Sequence, residues 1–213
     1  MALFQLDPAS IVARVRGSDK TVSLPSLTSS VVRGIIGFTI LSILGFLPWP
    51  IMDRWFSHPT EVGLYIACTA VFIGLSGPCL HRLIIGPGSL SRFYQLFALA
   101  FIAYAVLWVA FWMGLRGNAG EIAGLLGGTA AMGLILAFAF GVPGTAPKVV
   151  LALFLLNGIG YYAGGKIEGK LGVDHRLAAM FLWGACYGIG FGAGLGTAFH
   201  LCQKRARALL RQS

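Results

Sequence analysis

The chain has 213 residues, of which 57% are hydrophobic and 11% charged, with a mean hydropathy of +0.81. Soluble domains carry about 25% charged residues, so this composition excludes an ordinary soluble domain and predicts an all-α integral membrane protein, a bundle of about six transmembrane helices. The formal charge of +9 comes from 16 Lys and Arg against 7 Asp and Glu; these cations flank apolar segments instead of forming a broad basic surface with aromatics, so nucleic acid is not an expected partner.

Residues 1–30 are polar and lack the charged start, apolar run and cleavage site of a signal peptide. Asp7 followed by Pro8 reads as an N-cap and first helical position, leading into SIVARVRG, where Ile11, Val12 and Val15 share a face. Two readings stay open for this segment: a short helix on the membrane surface, or a loosely ordered tail.

The first span is expected at 34–50, GIIGFTILSILGFLPWP, stopped by Pro48 and Pro50, and the second at 62–79, ended by Gly77 and Pro78. After the basic loop IIGPGSLSR comes a third span at 93–115, the most aromatic of all. The fourth, at 122–142, is led in by Gly120, Gly124 and Gly128. VPGTAP breaks the chain before a fifth span at 149–165, which carries Asn157 near its middle and Gly160 and Gly164 toward its end. The charged loop KIEGKLGVDHR leads to the sixth span at 177–202, and residues 204–213 form a basic tail that continues this helix into water.

In the sixth span Gly184, Gly188, Gly192 and Gly196 recur every fourth residue, which on a helix draws one stripe of bare backbone. Gly190 and Gly194 lie on a different face. The stripe is expected to be the packing seam of the second half of the bundle, with the Gly120, Gly124, Gly128 and Gly160, Gly164 faces as its partners. Cys68, Cys79, Cys186 and Cys202 lie in or at the ends of apolar segments without CxxC spacing, and read as small core residues.

Orientation follows from the cations. With both termini cytoplasmic, eleven Lys and Arg (Arg14, Arg16, Lys20, Arg33, Arg82, Arg92, Lys148, Lys204, Arg205, Arg207, Arg211) stand inside and five (Arg54, Arg116, Lys166, Lys170, Arg176) outside. Trp49, Trp55, Trp108, Trp112 and Trp183 then fall in the outer half, as an interfacial belt requires. Together with the lack of a signal peptide this suggests a bacterial inner membrane. The two three-span halves show no convincing match to one another, so an inverted repeat stays unsupported.

GLSG at 74–77 resembles the GxSG serine motif of the rhomboid intramembrane proteases, which also have six spans and would make Ser76 a nucleophile. The resemblance is four residues long, stands on a different span, and is followed at once by Pro78; a small-residue helix end is the expectation. Haem held by His58 with His81 and His175 with His200 is disfavoured, because each pair is separated by more than twenty residues, roughly 35 Å of helix. No cofactor and no metal site is expected. No Asp, Glu, Lys or Arg is placed mid-membrane, where each would cost at least ~2.5 kcal/mol and mark function; Glu121, at the mouth of the fourth span, reads as a carboxylate stabilising a helix start.

The polar residues inside spans are Asn157, Gln95, Thr39, Ser42, Thr69 and Thr129. Asn157 and Gln95 are the candidate in-membrane polar contacts, with a helix-to-helix hydrogen bond preferred for Asn157. Lys204, Arg205, Arg207 and Arg211 are expected beside anionic headgroups. The leading functional expectation is a non-catalytic structural or accessory subunit, or assembly factor, that meets the bilayer and other membrane subunits or its own copies. The alternative is a small channel or carrier for a neutral or lipid-like solute. A membrane enzyme acting on lipid through Ser76, His81 or His200 ranks third.

Overall fold

The computed structural model describes residues 3–18, 22–55, 60–171 and 175–212; Lys20, His58 and the side chains of Arg54 and Trp55 lie outside the described residues. The described chain is all-α: α1 (Pro8–Arg16), α2 (Leu27–Gly45), α3 (Pro48–Trp55), α4 (Glu61–Leu80), α5 (Ser89–Leu115), α6 (Gly117–Ala139), α7 (Ala146–Leu171), α8 (Arg176–Cys202) and α9 (Lys204–Arg211). Six helical segments are long and apolar enough to cross a membrane, so this is a multi-pass membrane protein.

Local chemistry explains where the helices depart from the expected bounds. The Ser26 hydroxyl accepts from the Ser29 N–H at 3.1 Å, and this cap starts α2 at Leu27, well before Gly34. Helix α2 ends at Gly45 and Pro48 and Pro50 open the short α3, where their missing N–H groups cost little, so the first apolar span, Leu27–Met52, is made of both helices. Pro78 is carried inside α4. The fifth span runs to Leu171, because GGKIEGKL continues α7 beyond the apolar stretch.

The six spans stand in a ring in chain order: each of α2, α4, α5, α6 and α7 packs on the next, and α8 closes the ring on α2. The glycine stripe does the closing. A Cβ on Gly188 would lie 2.5 Å from Thr39 Cα, one on Gly192 2.4 Å from the Gly34 carbonyl oxygen, and one on Gly196 2.4 Å from the Ser30 carbonyl oxygen. The stripe therefore faces α2 of the first half, which corrects the expected partners. Gly160 meets α8 through its other glycine face, opposite Gly190 and Cys186, while Gly164 meets Trp183. Gly120, Gly124 and Gly128 lie on Phe111, Trp112, Trp108 and Tyr104 of α5. Large side chains cover the outward faces instead, including Ile36, Ile66, Val106, Phe138, Leu151 and Ile159, as lipid contact favours.

The two ends of the ring differ. Toward the end that carries both termini, Phe93, Phe97, Phe140, Phe191 and Phe199 are at most 1% exposed and fill the centre. At the opposite end the contact between α2 and α8 relaxes to ordinary van der Waals distance: a Cβ on Gly184 would meet nothing nearer than Phe46 at 3.5 Å. The interior cavity lies at that end.

The termini end is closed by α1 and α9, which pack on each other. Asp7 caps α1, accepting from the Ser10 N–H at 3.1 Å, and buries Ile11 and Val12; α1 is thus a docked helix. The basic tail does not continue α8. The chain turns at Gln203, whose buried side chain accepts from the Ile85 N–H at 2.8 Å and donates to the carbonyls of Leu83 and Phe199 at 2.8 and 3.0 Å. Lys204, Arg205 and Arg211 are exposed, but Arg207 is buried and donates to the His200 carbonyl. Burial, reinforced by Arg211, pushes the Arg207 guanidinium below its ordinary value, so Arg207 differs from its expected place among the headgroups.

Candidate functional site: an aromatic cavity at one end of the ring

That end of the ring holds a cavity of about 710 Å³, a size that accommodates a small organic molecule. Its wall is a chain of aromatic rings contributed by α3, α4, α5, α7, α8 and the end of α2. Trp49 of α3 lies 6.1 Å from Tyr65 of α4, which lies 6.0 Å from Trp108 of α5. Trp108 is 6.3 Å from Tyr161 of α7, Tyr161 is 5.6 Å from Trp183 of α8, and Trp183 is 4.8 Å from Phe46 at the end of α2. These spacings are those of edge-to-face and offset ring pairs, so the wall is both apolar and stiff. Trp112, Ala105, Thr69, Glu168 and Arg176 also line it.

The sequence cues for this wall are helical spacings, Tyr104–Trp108–Trp112 on α5 and Trp183–Tyr187 on α8, each placing rings on one face. Tryptophan position relative to the membrane edge suggests a lipid-facing belt. In the structure Trp49, Trp108, Trp112 and Trp183 line the interior instead. Whether a helix-end aromatic faces lipid or the bundle is decided by the helix rotation, which neighbouring helices set.

At its deep end the cavity meets a hydroxyl pair that bonds across the bundle. Tyr104 and Tyr187 lie 3.2 Å apart through their hydroxyls, and the Asn157 amide donates to the Tyr104 hydroxyl at 3.1 Å. Roughly 16 Å of α5 separates Tyr104 from the helix end at Leu115, at about 1.5 Å per residue. Gly128 makes room for Tyr104: a Cβ there would lie 2.7 Å from its ring. Below the hydroxyls Phe191 packs edge-on to Tyr104 at 5.1 Å and flat on Phe38 at 4.5 Å, so the cavity is blind.

Counting protons on this triad leaves a remainder. Asn157 donates to Tyr104, and one phenol donates to the other; the second phenolic proton then has no acceptor among the described residues. The Asn157 Oδ1 atom, wholly buried, is also without a partner.

The other expected site residues are dispersed. Gln95 is exposed on α5 and does not meet Asn157. Thr69 lines the cavity, while the Ser42 hydroxyl donates to the Gly184 carbonyl at 2.7 Å and Thr129 to the Leu125 carbonyl at 2.7 Å. The Ser76 hydroxyl donates to the Ile73 carbonyl at 2.8 Å, and His81 bonds the Gly77 carbonyl at 2.9 Å; His200 reaches Ser30 at 3.4 Å. Ser76 is thus occupied within its own helix, and each of these histidines has a different partner. Glu121 adjoins Tyr161 at the cavity rim. Among the described residues no group of three or more His, Cys, Asp or Glu is placed to hold a metal. No protein-family model matches the chain, and no curated protein or solved structure matches it.

Proposed function

We propose that the protein is a non-catalytic membrane binding protein, a carrier or receptor, for an uncharged, apolar or lipid-like solute held in the aromatic cavity. The observation that carries this reading is a stiff aromatic wall around about 710 Å³ that ends on the Tyr104–Tyr187 hydroxyls. Pockets of that size, mostly apolar with a few polar groups, are the usual form of small-molecule sites. The phenylalanine floor favours a blind site over an open channel.

The accessory-subunit reading rests mainly on the lack of a mid-membrane ionisable group, metal constellation or nucleophile pair, and also on abundant close-packing faces; those of α8 meet α2 and α7 of the same chain. Within this proposal the glycine seams act as a zipper that locks one side of the ring. The cation bias makes the cavity mouth extracytoplasmic, with both termini in the cytoplasm of a cell whose inner membrane holds the protein.

The test is saturable binding of N-phenyl-1-naphthylamine to the protein in nanodiscs, compared with Ala105→Trp, which fills the cavity from its wall. Saturable fluorescence enhancement that is lost in the variant supports the proposal. Enhancement equal to that of empty nanodiscs, or undiminished in Ala105→Trp, would defeat it.

A further inference from the structure

The spare phenolic proton narrows the class of solute. Among the described residues the charged groups that line the cavity, Glu168 and Arg176, stand at its rim, whereas the deep half is lined by neutral side chains, where a charge would cost at least ~2.5 kcal/mol. Flat rings on several sides, Trp108, Tyr161 and Trp183 among them, match a flat molecule by offset or edge contacts. At the closed end, one hydroxyl proton of the Tyr104–Tyr187 pair lacks an acceptor, and a donor left unmatched in a buried site selects a ligand that supplies the acceptor.

We infer that the cavity takes a flat, uncharged, ring-conjugated molecule with a carbonyl group leading, an aryl ketone or an oxidised quinone, its oxygen accepting from the tyrosine pair. This rests on the cavity being a binding site. No bond is made or broken, and the tyrosines act only as donors. Either phenol alone can serve: removing one ends the bond between them and leaves the other hydroxyl free to turn to the ligand. The double variant is therefore the one that withdraws the donor.

The experiment compares 2-acetylnaphthalene with 2-isopropylnaphthalene, near-isosteric molecules with and without the carbonyl. Tryptophan quenching in nanodiscs reads binding, with affinities referred to the lipid-phase concentration of each probe. The ketone should bind about tenfold more tightly, the ratio set by one hydrogen bond. In Tyr104→Phe/Tyr187→Phe that ratio should fall to about one while the hydrocarbon still binds. The carbonyl stretch of the bound ketone, read by infrared difference spectroscopy on the unaltered protein, should move to lower wavenumber, and this holds the inference to account even if the double variant does not fold. Equal affinity for the two probes, or an unshifted carbonyl band, overturns the ketone assignment and leaves the binding site standing. Failure of both probes to saturate overturns the site and this inference with it.

Discussion

Gly34 of α2 and Gly192 of α8 face each other so closely that a Cβ on either would enter the other's backbone, 2.2 Å from the Gly192 oxygen in one direction and 2.4 Å from the Gly34 oxygen in the other. Such contact between bare backbones is how helices gain packing in a solvent as apolar as their own side chains. It joins the first span to the last.

The seam should be graded in its tolerance. Gly188→Ala and Gly192→Ala force backbone apart and should each cost about 1–3 kcal/mol, the range for overpacking. Gly184→Ala has room and should be neutral or stabilising by up to ~1 kcal/mol. Thermal unfolding in detergent distinguishes them; equal losses at all three positions would refute the graded seam.

Asn157 behaves differently from a simple interhelical clasp. Its bond to Tyr104 is worth about 0.6 kcal/mol on the membrane scale, but its unpartnered Oδ1 offsets that gain. Asn157→Leu should therefore be near neutral, whereas Tyr104→Phe, which strips Asn157 of its partner, should be the more destabilising. Unfolding midpoints in the reverse order would show that the amide oxygen has found a partner.

Gln203 is the polar residue whose loss should matter most. Gln203→Leu leaves the Ile85 N–H and the Leu83 carbonyl without their side-chain partner, at about 1–3 kcal/mol for each buried group left unpaired. Hydrogen exchange should show the 83–85 segment freed before the bundle opens. Protection equal to that of the unaltered protein would mean that the turn is held by other contacts.

Acid should undock α1 from its N-cap. The Ser10 hydrogen bonds hold the Asp7 carboxyl below its usual range, outweighing a smaller opposing effect of burial. Because the folded value is depressed, the stabilisation is present above the unfolded value of about 3.9 and lost as pH falls through the folded one. Amide protection in α1 should be level above roughly pH 5 and fall below about pH 4. Asp7→Asn, which retains a capping oxygen, should flatten this dependence; an unchanged acid transition would assign it to another group.

Hydropathy and length were enough to specify six spans, since spanning a bilayer requires long apolar helices whatever their neighbours; the Asp7–Pro8 cap left a short helix as one of two readings, and packing of α1 on α9 decided it. The four-residue spacing of glycine marked which face of α8 lacks side chains. Its partner was not legible: Gly34, Thr39 and Ser30 become that partner only when the ring closes, because a bare face accepts any helix that can come close. For the same reason the aromatics on α5 and α8 looked like an interfacial belt, and Gln203 and Arg207 like parts of a continuous basic helix. Tertiary packing turned those rings inward, brought Tyr104, Tyr187 and Asn157 from three helices to one point, and bent the chain at Gln203. Periodicity names a helix face, but which neighbour covers it, and how far apart two helices stand along their length, is set by contacts between residues more than fifty positions apart.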